Sequence, residues 1–133
     1  MPTALRLNMT GRMVDPRVES ERYRAALEMA SFAEAHGFSM VSVEEHHCAE
    51  NGWLPSPLTM AAAILGRTER IAVNGIVLIT LYDPIRLAEE VAILDLMSGG
   101  RFSFVAGLGY RPTEYHALDK DWDARGKRMD HVI

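Results

Sequence analysis

Residues 71–104 read IAVNGIVLITLYDPIRLAEEVAILDLMSGGRFSF. Ile71 to Ile79 is nearly all apolar, the pattern of a strand covered on both faces. Asp83-Pro84 follows, a capping side chain with proline at the first helical position. Leu87, Val91 and Leu94 recur at helical spacing and give the helix one apolar face. Ser98-Gly99-Gly100 stops it. Phe102 and Phe104 then open a strand that ends at Gly107-Leu108-Gly109. Strand, helix and strand in this order form a parallel crossover unit.

Working outward, the same unit repeats. Leu5, Leu7 and Met9 alternate with Arg6, Asn8 and Thr10, which predicts a strand. After a polar stretch containing Gly11, Asp15 and Pro16, residues Tyr23, Ala26, Leu27, Ala30 and Ala33 give a helix closed by His36-Gly37. Phe38 to Val43 is a second strand, and Glu44 to Pro55, with Asn51-Gly52, is a loop. Ser56-Pro57 starts a helix whose buried face is Leu58, Ala61, Ala62 and Leu65, with Gly66 at its end. Downstream, a last helix is expected to begin near Asp123, with Met129, Val132 and Ile133 on one side. The strands therefore start at Leu5, Phe38, Ile71 and Phe102. A period of roughly 30 residues matches one eighth of a (β/α)8 barrel, so four units amount to half of one. A small open doubly wound sheet would be complete at this length, and the pattern alone leaves both architectures open.

Composition narrows the function classes. With 133 residues, 48% apolar, 24% charged and a net charge of −4, the chain has an ordinary globular balance and no basic surplus for nucleic acid or an anionic membrane. The single cysteine, Cys48, forms no internal disulfide and fits a reducing cytoplasm. Residues 1–10 hold no apolar run of signal-peptide length, and no segment approaches a membrane span.

Three places have chemical potential. Glu44-Glu45-His46-His47 ends the second strand, where a barrel faces its active site, and a histidine there serves as acid/base or cofactor ligand. A water-facing strand end is the plain alternative. A metal site of Glu45, His46 and His47 is weak, since neighbours on a strand point to opposite faces. Gly107-Leu108-Gly109-Tyr110 lets backbone approach a ligand, or is a simple turn; it lacks the third glycine of a dinucleotide fingerprint. Asn74-Gly75 interrupts an apolar strand, as a bulge or a packing glycine does. Cys48 reads as incidental, and Met40, Met60 and Met97 as core filler.

In order along the chain, Gly37-Phe38 leading to Glu45-His46-His47, then residues 83–90, Leu94-Asp95, Ser98-Gly99-Gly100-Arg101-Phe102, and Gly107-Leu108-Gly109-Tyr110 with Glu114-Tyr115, resemble the bacterial-luciferase-like monooxygenase family. The resemblance runs over nearly the whole chain. It implies the α/β class and the N-terminal half of a (β/α)8 TIM barrel, residues 1–133 forming four parallel βα units of a barrel cut short at its C-terminal end. It implies reduced flavin, either FMN with oxygen acting on a small organic substrate, or the deazaflavin F420 in hydride transfer. His46 would be the catalytic acid/base, and Glu45, Gly75, Ile76, Gly107 and Gly109 would shape the cofactor site. A bulge with a cis peptide is expected at Gly75-Ile76, and a homodimer through the helices after strands two and three. Leu108 stands where luciferase has a phosphate-binding arginine, which puts that contact in doubt. A non-catalytic, self-associating half-barrel is the rival from another class. A metal-dependent barrel hydrolase lacks support, since strand one reads Leu5-Arg6-Leu7 rather than His-x-His.

Overall fold

The computed structural model describes residues 3–11 and 15–133. Its elements are β1 (Ala4–Leu7), α1 (Pro16–Ala35), β2 (Met40–Val43), α2 (Pro57–Arg67), β3 (Ala72–Val77), a 3-10 turn (Ile79–Leu81), α3 (Pro84–Ser98), β4 (Phe102–Ala106), α4 (Pro112–Ala117) and α5 (Arg125–Val132). The helix starts follow the cap-plus-proline chemistry. Asp15 accepts from the Arg17 N–H at 2.8 Å, and Asp83 from the Ile85 and Arg86 N–H groups at 3.1 Å. Ser56 departs from this: its hydroxyl bonds the Thr59 hydroxyl at 2.7 Å and caps no backbone group. Gly37 and Gly99 end α1 and α3 with φ of 79° and 65°, conformations that a side chain would strain.

Among the described residues the strands form one parallel sheet in the order β1-β2-β3-β4. Leu7, Val41, Val43, Val73, Val77 and Phe102 share a core with Ala26, Ala30, Ala61, Ile64, Leu87 and Leu94 from α1, α2 and α3. All three helices therefore cover the same face, in chain order. A doubly wound sheet would place helices on both faces, so that alternative falls. The other face carries a register-aligned row: Arg6 beside Ser42, Ser42 beside Asn74, Asn74 beside Ser103. Asn74 donates to Ser103 Oγ at 2.9 Å, and Arg6 pairs with Glu44 just above the row.

Two side-chain struts hold the helical layer to the sheet. The Arg101 guanidinium donates to the carbonyls of Leu65, Ile71 and Ser98 and to the Thr68 hydroxyl, joining the end of α2 to the start of β4. Glu34, near the end of α1, accepts the N–H groups of Glu69, Arg70 and Ile71. These backbone bonds, those of Ile71 and Arg70 first, hold its carboxyl below the ordinary glutamate value.

Two expectations are corrected. No cis peptide occurs among the described residues, and Asn74, Gly75 and Ile76 continue the ladder against Ser103, Phe104 and Val105 without a bulge. Gly75 is a packing glycine: a Cβ there would stand 3.6 Å from the Phe102 ring. The second correction concerns the C-terminal region, which holds two helices, α4 preceding the one expected near Asp123.

Candidate active site

The site is assembled by the loops that leave β2 and β4 at their C-terminal ends. The β2–α2 loop folds back on itself and on the end of β1. His46 N–H donates to Leu54 O at 2.9 Å, Leu54 N–H to Asn8 O at 3.4 Å, and Gly11 N–H to Asn51 O at 2.8 Å. The β4–α4 turn is pinned by Gly107 N–H to Val77 O at 2.7 Å. A Cβ at Gly107 would lie 3.0 Å from Leu78 and 3.2 Å from that same carbonyl, so the turn passes β3 too closely for a side chain. Gly109 has φ of 81° and packs against Tyr115.

These loops enclose the His46 ring, which is 7% exposed. Trp53 lies against it with ring centroids 3.8 Å apart, and Tyr110 meets it edge-on at 5.4 Å. His46 Nδ1 is 2.8 Å from Glu114 Oε1 in the first turn of α4. The same oxygen accepts the His47 N–H at 3.1 Å and Arg111 Nη1 at 3.1 Å, while Glu114 Oε2 is buried without a partner. His46 Nε2 has no hydrogen-bond partner among the described residues.

Glu45 belongs to a second network on the other side of the strand. Its oxygens accept Leu78 N–H at 2.6 Å, the Tyr82 hydroxyl at 2.7 Å and His47 Nε2 at 2.8 Å. Burial, then the adjoining Glu45 carboxylate, pushes the Tyr82 phenol well above its ordinary value, so it stays a donor. Glu45 and His47 thus pair with each other and His46 with Glu114, and the three do not converge as a metal site would require.

The sequence-derived site residues divide accordingly. His46 sits at the mouth, and Ile76 is half-buried on the open inner face of the sheet. Glu45 is 1% exposed with both oxygens engaged, so it braces the loop and has no surface for a cofactor. Gly75 turns its back to Phe102, and Gly107 and Gly109 are accounted for by contacts within the chain. Around His46 the structure places Glu114, Trp53, Tyr110 and Arg111; the sequence reading named Tyr110 and Glu114 only as part of the loop motif after strand four, gave them no site role, and passed over Trp53 and Arg111. Arg111-Pro112 repeats the X-Pro helix start of residues 56–57 and 83–84, and that signal locates Glu114 in a first helical turn. For a flavin, Ile76 and Val105 leave apolar surface on the open face of the sheet and Tyr110 leaves it at the His46 ring, which suits the ring end. The phosphate end is not matched: Leu108 is neutral and Arg111 is committed to Glu114 and His47 O.

Four parallel βα units in chain order, helices on one face, and an ionisable cluster at the strands' C-terminal ends define the N-terminal half of a (β/α)8 barrel with its site at the mouth. The luciferase-like monooxygenase profile matches residues 7–133, and the chain belongs to that family. The alkanal monooxygenase beta chain of Photobacterium leiognathi is 44% identical over 66 residues, 49% of this chain and 20% of that protein. Monooxygenase RslO1 of Streptomyces bottropensis superposes with a TM-score of 0.89 at 28% identity, over 99% of this chain and 40% of that one. The oxygenating constituent of Pseudomonas putida 3,6-diketocamphane monooxygenase, solved with FMN, gives 0.88 at 18% identity, over 99% and 37%. The chain thus spans well under half the length of these relatives.

Proposed function

We propose that this chain is the half of a flavin-dependent monooxygenase that carries the proton-transfer residue, with FMN, oxygen and a small organic substrate as its reactants. The observation that carries the reading is His46: a nearly buried imidazole at the end of β2, one nitrogen tied to Glu114 and the other without a partner. Reduced FMN, when bound, supplies the electrons for oxygen activation. The chain's own residues do the rest. His46 gives and takes a proton, Trp53 and Tyr110 hold its ring and exclude water, and Ile76 and Val105 offer an apolar wall. FMN is preferred to F420 because the diketocamphane relative is described in complex with FMN.

The face of α3 that bears the exposed Ile93 and Met97 adjoins a groove shared with Leu58, Thr59 and Ala62 of α2, and is the surface for a two-fold dimer. No helix among the described residues is long and apolar enough to cross a membrane. With the exposed free thiol of Cys48, this fits a reducing cytoplasm.

The test is flavin retention followed by turnover. Carried through gel filtration with FMN, the protein should keep a flavin absorbance band. Completed with the last four βα units of a structural relative, it should consume oxygen in the presence of reduced FMN and a small aldehyde or ketone. Loss of flavin from both forms would assign the chain to a non-catalytic half-barrel.

A further inference from the structure

We infer that Glu114 is the positioning residue of this site, holding His46 as the Nδ1–H tautomer so that Nε2 is the atom that exchanges the proton. The inference rests on the reading of His46 as the acid/base. Glu114 is completely buried, and its Oε1 receives three contacts: His46 Nδ1 at 2.8 Å, His47 N–H at 3.1 Å and Arg111 Nη1 at 3.1 Å. The last two can only donate, so Oε1 is an acceptor and leaves no room for a proton of its own. Oε2 is buried without a partner, a cost in either protonation state, whereas the permanently charged Arg111 guanidinium 3.1 Å from Oε1 favours the carboxylate. The carboxylate is therefore ionised and accepts from all three neighbours. Nδ1 must carry the hydrogen, and the lone pair of the neutral ring lies on Nε2.

The surroundings leave this assignment uncontested. From the β4–α4 segment the ring meets Glu114, with Arg111 behind it, and the edge of Tyr110. From the β2–α2 loop it meets Trp53. On its own segment Glu44 is paired with Arg6, and His47 with Glu45. A carboxylate that orients an imidazole in this way fixes the reactive nitrogen and stabilises the imidazolium that forms after proton uptake.

A merely structural Glu114 would brace the β2–α2 loop through His47 N–H and leave the tautomer of His46 to chance. Long-range 1H–15N spectra of the 15N-histidine-labelled protein separate the two roles without flavin or substrate. The neutral His46 ring should be protonated at Nδ1. Glu114→Ala should return it to the Nε2–H form that free imidazole prefers, and Glu114→Asp should restore Nδ1–H. Trp53 gives a second readout, because an imidazolium 3.8 Å away quenches its fluorescence. In a Trp122→Phe background the midpoint of that quenching should move to lower pH in Glu114→Gln, where the buried charge is lost. An Nε2–H ring in the parent protein, Nδ1–H persisting in Glu114→Ala, or an unmoved midpoint in Glu114→Gln would each overturn the inference. Should the alanine variant not fold, the glutamine variant decides it. In the completed barrel Glu114→Gln should lower kcat by on the order of a hundredfold or more with KM little changed, and Glu114→Asp should recover most of it. A normal tautomer response beside unaffected turnover in His46→Ala would instead fault the acid/base reading, and with it the proton exchange at Nε2, while the tautomer assignment stands.

Discussion

Glu44, Glu45, His46 and His47 are consecutive, yet their side chains serve separate ends: Glu44 joins Arg6, Glu45 joins His47 and Tyr82, and His46 joins Glu114. Among the described residues Nε2 of His46 and Nδ1 of His47 are both without a hydrogen-bond partner, but only the His46 ring is nearly buried against Trp53 and Tyr110. Its replacement by alanine should lower turnover of the completed barrel by roughly two orders of magnitude, the scale of a lost proton carrier, with flavin affinity nearly unchanged; steady-state oxygen uptake and flavin titration measure the two. The glycines can be ranked in the same way. Gly75→Ala introduces contacts of 3.4–3.7 Å, all ordinary, and should be close to neutral. Gly107→Ala drives a methyl to 3.0 Å from Leu78 and 3.2 Å from the Val77 carbonyl, and should cost about 1–3 kcal/mol in urea unfolding. The place of His46 just beyond β2 was legible in the sequence, because the apolar run of that strand stops at Val43. Glu114 was not, because 68 residues separate it from its partner and nothing local records that contact.

Helices and strands were the most legible level, since each of α1, α2 and α3 begins with proline and buries one face. The short α4 was missed because its six residues give too little periodicity to stand out. Gly75 was misread because a packing glycine and a bulge glycine look alike until the ring that fills the space, Phe102, is placed. The links between elements rest on single side chains, and two of them are testable. Arg101→Lys cannot span the acceptors on Leu65, Thr68, Ile71 and Ser98 with one ammonium, and should destabilise the protein by about 2 kcal/mol or more; chemical denaturation measures this. Glu34 has a depressed carboxyl in the folded state, so the stability it contributes is present above the ordinary value of 4.5 and is lost as pH falls below that toward the folded-state value. Glu34→Gln should therefore be less stable than the parent at neutral pH, and the difference should shrink in acid, as read from thermal melts across pH 3–7.

For the molecule as a whole, the sheet among the described residues has two edges, β1 paired only with β2 and β4 only with β3. Beside β4 lies an apolar groove of about 650 Å³ bounded by Leu87, Val91, Phe104, Ala106, Val132 and Ile133. Unpaired strand edges next to exposed apolar surface favour association. The 133-residue protein should therefore be a dimer or larger at micromolar concentration. Sedimentation equilibrium over a hundredfold dilution checks this, and a cooperatively folding monomer would contradict it. The period of the strands made the half-barrel legible, but which face is covered needed the three-dimensional core.

The row from Arg6 to Ser103 bears on how such a barrel is synthesised. That row is hydrogen-bonding and charged, with Ile76 and Val105 as apolar neighbours toward the strands' C-terminal ends, so an N-terminal half emerging from the ribosome shows water a partly wettable inner face. At 5–20 residues per second the remaining strands need on the order of ten seconds or more to appear. During that wait the row offers chaperones and neighbouring nascent chains little to grip, and the hazard on the sheet falls on Ile76, Val105 and the rim of β4.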